Sequence, residues 1–199
     1  MKELILDNRG VFSVFFMMII SLMILILISD VEIPRDKHGS DIDLQKAIEQ
    51  AAYAAANGVD TTSQANNTPY VDPVKAHAYF RHFLAKNLLL DDVTLEPLGN
   101  SGLKSAPQYE LLIVNGNNPY VSKGYFYDSQ ASEGYVDVDI PITLGIDEDG
   151  IDLSGAGYRQ TTIKSPSCVT HIKAELKEVI AENGNREAIR WAVGRLVTH

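Results

Sequence analysis

Asp137 and Asp139 are the nearest approach in this sequence to a paired-carboxylate site. As i, i+2 residues on an extended strand they lie about 7 Å apart, a separation at which two carboxylates can divide acid and base roles. Such a pair works only when further groups shift its proton affinities and hold a substrate. The neighbouring residues offer neither, so both aspartates read as the solvent-facing side of a strand. Asp147, Glu148, Asp149, Gly150 and Asp152 resemble a calcium loop, but an EF-hand needs Gly sixth and Glu twelfth. The segment reads instead as a hairpin turn. Cys168 is the one cysteine, which excludes an intrachain disulfide and a Cys-based zinc site. His38, His77, His82, His171 and His199 include no pair at the i, i+4 spacing that sets two imidazoles on one helical face. No G-x-S-x-G occurs, and Gly99, Gly102, Gly116 and Gly124 do not compose a phosphate loop. The expectation is a non-enzymatic protein without metal, cofactor or small-molecule substrate.

The elements that carry these residues follow from charge and periodicity. The chain has 199 residues and a net charge of −9, room for one modest domain with its own core. An acidic domain without a Lys/Arg cluster is a poor polyanion binder, so nucleic acid is not an expected partner. Residues 11–28 read VFSVFFMMIISLMILILI, uncharged throughout and polar only at Ser13 and Ser21. As a helix this run is about 27 Å long, close to the hydrocarbon thickness of a bilayer. It is longer than the apolar core of a cleaved signal peptide and is followed by SDVEIPRDKHG, not by a small-residue cleavage site. Lys2 and Arg9 precede the run and Arg35, Lys37 and Lys46 follow it, so basic residues do not orient it. A ten-residue polar tail ahead of one span makes the long C-terminal part the translocated one.

The organisation expected is therefore a cytoplasmic leader over 1–10, a transmembrane helix over 11–29, a connector over 30–39 and a single extracytoplasmic domain through 199. Pro34 should end helical structure and Gly39 free the connector. Ser40 then caps a new helix that stops at Asn57-Gly58. Its face of Leu44, Ala47, Ile48, Ala51, Ala52 and Ala55 is rich in alanine, which lets another backbone approach closely, either in the same domain or in a neighbouring subunit. Residues 61–69 read as a loop. Asp72-Pro73 starts a second helix lined by Ala76, Phe80, Phe83, Leu84 and Leu88. The period then changes to two, with strands expected over 93–98, 109–114, 123–127, 135–144 and 158–164. In the fourth, Val136, Val138, Ile140, Ile142 and Leu144 share one face and Asp137 and Asp139 the other. Ile172, Leu176, Val179 and Ile180 suggest a helix over 169–182 stopped by Asn183-Gly184, and Ile189, Ala192, Val193 and Leu196 a last helix from Arg186 with a small basic patch. The fold class is α+β: a transmembrane helix, then amphipathic helices packed on one face of a mainly antiparallel sheet.

Arg9-Gly10 directly before the apolar run, the run itself, and LQKAIEQAAYAAANG over residues 44–58 together resemble the TadE-like proteins, pseudopilin-type components of bacterial tight-adherence pilus machinery. The resemblance covers about the first 60 residues. It implies a processing site between Gly10 and Val11, pilin-like subunits or an inner-membrane assembly platform as partners, and the alanine-rich face as the subunit-packing surface. The family places a Glu five residues after the processing-site Gly, where this chain has Phe15. A charge at that depth is tolerated when it pairs with the terminal amine of a neighbouring subunit, and Phe15 removes the pair. The chain is therefore expected to keep residues 1–10 and to serve as an anchored accessory or structural component. A membrane-anchored sensory or ligand-binding domain is the competing expectation.

Overall fold

The computed structural model describes residues 8–115, 122–132, 134–139, 143–157, 159–163, 165–177 and 186–196, with side chains at all of these except 8–13, 27–42 and 159. The chain divides into two compact units, Met1–Gly39 and Ser40–His199. Helix α1 is Asn8–Ala56. The break expected at Pro34 is absent: Pro34, Gly39 and the expected cap Ser40 all lie inside α1. Proline lacks one N–H and so deletes one helical hydrogen bond, which a helix of 49 residues tolerates. In the first unit the large apolar side chains from Val14 to Ile26 are all exposed. Among the described residues, no helix is long and apolar enough to cross a membrane.

The second unit is α+β. Besides the end of α1 it contains α2 (Thr61–Ala65), α3 (Pro73–Leu88), β1 (Gln108–Val114), β2 (Gly124–Asp128), β3 (Val136–Val138), β4 (Thr143–Ile146), β5 (Ile151–Asp152), β6 (Arg159–Thr162), β7 (Ser167–Leu176) and β8 (Arg186–Arg195). A five-stranded sheet runs β3-β2-β1-β7-β8 and a three-stranded sheet β5-β4-β6, with every pairing antiparallel. Asp72 caps α3 through Oδ1, which accepts from the N–H groups of Val74 at 2.8 Å and Lys75 at 3.1 Å, and Pro73 stands at the first helical position. Asp60 caps the short α2, where a loop was expected.

The central strands of the large sheet, β1 and β7, are covered on both faces. On one, Leu44, Ile48, Ala51, Ala52 and Ala55 of α1 and Ala76, Phe80 and Leu84 of α3 pack on Tyr109, Leu111 and Ile113 of β1, Cys168, Ile172, Ala174 and Leu176 of β7, and Ala188 and Ala192 of β8. On the other, Leu112, Val114 and Val169 meet Leu144, Ile146 and Ile151 of the small sheet. The helices therefore cover one face as expected, and a second sheet covers the face expected to meet water.

The two C-terminal helices are corrected to strands, β7 and β8. Alternate residues of β7 face the two sides of the sheet: Cys168, Ile172, Ala174 and Leu176 enter the helix-side core, while Val169 enters the other, on a face that is otherwise Ser167, His171, Lys173 and Glu175. The expected strand over 93–98 is a turn closed by a bridge between Leu90 and Pro97. The expected strand over 135–144 is divided: β3 joins the large sheet and β4 the small one, while its residues 140–142 lie outside the described residues, as do Asn183, Gly184 and His199.

Helix and sheet approach closely at Gly194, where an added Cβ would fall 2.0 Å from the Ala52 carbonyl oxygen. Gly194→Val should therefore cost about 2–3 kcal/mol in urea unfolding. Gly102→Ala, at a site with nothing within 4 Å, should stay within about 0.5 kcal/mol.

Candidate functional site

The face of α1 that the sequence offered to a neighbouring subunit, Leu44, Ala47, Ile48, Ala51, Ala52 and Ala55, is buried. This corrects its reading as a subunit-packing surface: β7, β8 and α3 already occupy it. Gly10 and Val11 lie in α1, and their side chains are outside those described, as is that of His38. Asp137 and Asp139 are exposed. Asp137 pairs with Lys123 at 3.2 Å, and Lys123 lies 5.0 Å from the ring centre of Tyr125, the cross-strand partner of Asp137. Asp147 Oδ1 accepts from the N–H groups of Asp149 at 2.9 Å and Gly150 at 3.1 Å, so the acidic segment is the β4–β5 hairpin turn. Among the described residues, no group of three or more His, Cys, Asp or Glu side chains could hold a metal ion.

Two clusters bring polar side chains together. The first lies between α3 and the large sheet. The cap at Asp72 sets the register of α3 so that His77 faces inward, where Tyr109 of β1, Tyr127 of β2 and Tyr135 meet it. His77 Nδ1 is 2.8 Å from the Tyr135 hydroxyl and Nε2 is 2.6 Å from that of Tyr109, while the ring lies 4.2 Å from the Tyr127 ring centre. Tyr135 donates its proton to the Pro73 carbonyl at 3.2 Å. It must then accept from His77 Nδ1–H, which leaves Nε2 to accept from Tyr109. Burial, aided by Arg81, pushes the imidazole down to about 4. Burial raises the Tyr135 phenol to about 12 and that of Tyr109 as well. None of these groups changes charge near neutrality, so the cluster is a poor general acid or base. It fastens α3 to the sheet. Beside it the hydroxyls of Tyr70 and Tyr125 meet at 2.6 Å.

The second cluster is a row across the opposite face. Asp128, Glu110, His171 and Trp191 are successive cross-strand partners on β2, β1, β7 and β8. Glu110 Oε2 accepts from Ile151 N–H at 2.7 Å, and a Cβ at Gly150, whose φ is +151°, would strike that carboxylate at 2.5 Å. His171 is 2% exposed, and among the described residues its Nε2 has no hydrogen-bond partner. Its Nδ1 stands 3.8 Å from Glu110 Oε2, beyond hydrogen-bond reach. Burial raises the Glu110 carboxyl and lowers the His171 imidazole.

At the end of this row an open cleft of about 880 Å³ runs between the acidic β4–β5 turn and residues 186–191 of β8. A second opening of about 720 Å³ lies between Gln45 and Glu49 of α1 and residues 189–193. The two flank the same stretch of β8, which ends the sheet order. This edge is the candidate interaction site. The sequence reading missed it, because a helix at 186–196 has no edge. The signal present was Ala188, Ala192 and Gly194 spaced by even numbers, the small residues of a strand pressed against a helix. No family model, curated protein or solved structure matches the chain.

The neutral imidazoles have a consequence for stability. The folded-state pKa of His77 lies below the ordinary 6.5, so its contribution is complete above about pH 6.5 and fades as pH falls toward 4. Allowing for its partial exposure, the loss should be of order 1–2 kcal/mol between pH 7 and pH 4.5 in urea unfolding. His171 acts in the same sense and Glu110 in the opposite one. The slope lost in His77→Gln therefore isolates the His77 part, and an unchanged slope would contradict the assignment.

Proposed function

We propose that this chain is a membrane-anchored, non-enzymatic component of a bacterial pilus or secretion apparatus, acting by packing against other subunits. The observation that carries this reading is in the first unit, where every large apolar side chain described from Val14 to Ile26 is exposed. A helix apolar on all sides needs an apolar surrounding. Residues 14–26 would make about 20 Å of helix, short of the hydrocarbon thickness, whereas the whole apolar run over 11–28 would make about 27 Å. The second unit would then be the extracytoplasmic domain, its acidic surface suited to protein partners and not to polyanions. The TadE-like resemblance of residues 9–58 supplies the class of partner: pilin-like subunits or an assembly platform. With Phe15 in place of the family's Glu, an accessory component that keeps residues 1–10 fits better than a processed filament subunit.

A membrane-anchored ligand-binding domain is favoured by one observation, the 880 Å³ cleft bearing charges of both signs. Saturable binding of a small zwitterion there, with a matching rise in melting temperature, would support it over subunit packing.

Fractionation tests the anchor and intact mass tests the leader. The full chain should sediment with membranes, resist alkaline carbonate and enter solution only with detergent, whereas deletion of residues 11–28 should release it. The extracted chain should retain residues 1–10, or lose Met1 alone. A full chain soluble without detergent would overturn the anchor, and a species beginning at Val11 would restore the processed-subunit reading.

A further inference from the structure

Helix α3 packs on the large sheet with one side and presents the other to solvent. Among the described residues of the second unit, most of the exposed large apolar side chains lie on this helix or just beyond it: Val74, Tyr79, Phe83, Leu89, Val93 and Leu98. Single apolar groups on a surface are ordinary, whereas a gathering of them marks a contact. Lys75, Tyr79, Phe83 and Lys86 are spaced by four, four and three residues. They therefore share one ridge, beside the buried line of Ala76, Phe80 and Leu84. The ridge is basic on a chain of net charge −9. Lys75, Arg81 and Lys86 are the charged residues of α3, with no carboxylate among them. The acidic residues next to the helix in sequence are engaged locally. Asp72 Oδ1 caps the helix, Asp91 Oδ1 accepts from the N–H groups of Val93 and Thr94, and Asp92 stands 3.2 Å from His82 Nδ1.

Across the sheet the charge is reversed. Helix α3 covers one face of the large sheet and the small sheet covers the other. The β4–β5 turn of that small sheet carries Asp147, Glu148 and Asp149, all exposed, with Asp152 just after it and no basic residue between. Asp147 holds the turn through the N–H groups of Asp149 and Gly150. We propose that the α3 ridge of one copy docks on the β4–β5 turn of a second copy, with Lys75 and Lys86 against the partner subunit's Glu148 and Asp149. Tyr79 and Phe83 pack between the charges. The occupant is a second copy because one chain carries both halves of the contact, opposite in charge and on opposite sides of one sheet. Two ridges brought together would set lysine against lysine, which excludes a ridge-to-ridge dimer.

A contact between unlike surfaces leaves each copy with one ridge or one turn still to fill, so association continues past two. The proposal deepens the reading above by stating how subunits pack, and it rests on that reading only in treating subunit packing as the mode of action. Membrane attachment is read separately by fractionation, so either result can fail alone.

The test is sedimentation velocity of the full chain in a neutral detergent, over a range of protein and salt concentrations. The wild type should form species that grow past the dimer as protein concentration rises and that shrink as salt is added. Lys75→Glu with Lys86→Glu, and separately Glu148→Lys with Asp149→Lys, should each weaken association by about tenfold at an unchanged melting temperature. All four changes in one chain should restore it to within about threefold. Tyr79→Ser should weaken it without altering its salt dependence. A wild type that stays monomeric, or that stops at a dimer, overturns the proposal. So does association indifferent to both reversals, which would locate it elsewhere in the chain. Sensitivity to the α3 reversal with the turn reversal silent would make another acidic surface the occupant of α3, and overturns the second copy. A chain with all four changes that melts like the wild type and stays dissociated overturns it as well.

Discussion

Helix α1 can lie on the end of the large sheet only because neither surface carries bulk at the crossing. Ala51, Ala52 and Ala55 face β8, and at Gly194 the strand has no side chain at all. With a larger residue in either place the helix would lift away, and the gap would open above Ile172 and Cys168, which are fully buried beneath it. The same close approach fixes the depth of α3, since an added Cβ at Gly58, just beyond α1, would meet Ala76 N at 2.7 Å. Small residues thus set the spacing of the layer, and the large ones, Phe80, Leu84 and Leu44, fill what that spacing leaves.

Polar groups inside this frame are used for registration. Asn115 is buried at the end of β1, where its carboxamide oxygen accepts from Val71 N–H at 2.7 Å and its Nδ2 donates to the Val71 carbonyl at 3.3 Å. It serves the segment before α3 as a neighbouring strand would. His77 and its tyrosines do the same for the body of α3. Such bonds add modest net stability, but leaving any one of them unmade in the interior is costly, so they select one arrangement of helix on sheet.

How far the sequence revealed this depends on where each element sits. Helix α3 was legible from Asp72-Pro73, because capping is local chemistry. Strand β1 was legible because a short apolar run stops at Asn115-Gly116, a turn signal in the sequence. Strand β7 was not read as one, although Ile172 to Leu176 alternates apolar and polar residues with a period of two, because the spacing of Ile172, Leu176, Val179 and Ile180 also matches a helix. Ile172 and Leu176, four apart, then fit a helix equally well; the β-branched Val169, Thr170 and Ile172 were the weaker contrary sign. Misreading β7 and β8 hid the Glu110–His171–Trp191 row, which exists only through cross-strand register. Pro34 misled in the opposite direction, as a local breaker inside a helix that continues past it.

Cys168 lies on β7 beneath α1, fully buried, and its burial pushes the thiol well above its ordinary range. As the only sulfhydryl in the chain, it is a built-in clock for the interior. An alkylating reagent reaches it only when the layer formed by α1 and β8 parts, so the rate of its modification reports how often that layer opens. With fast reclosure the rate reads the free energy of opening, and with slow reclosure it reads the opening step itself.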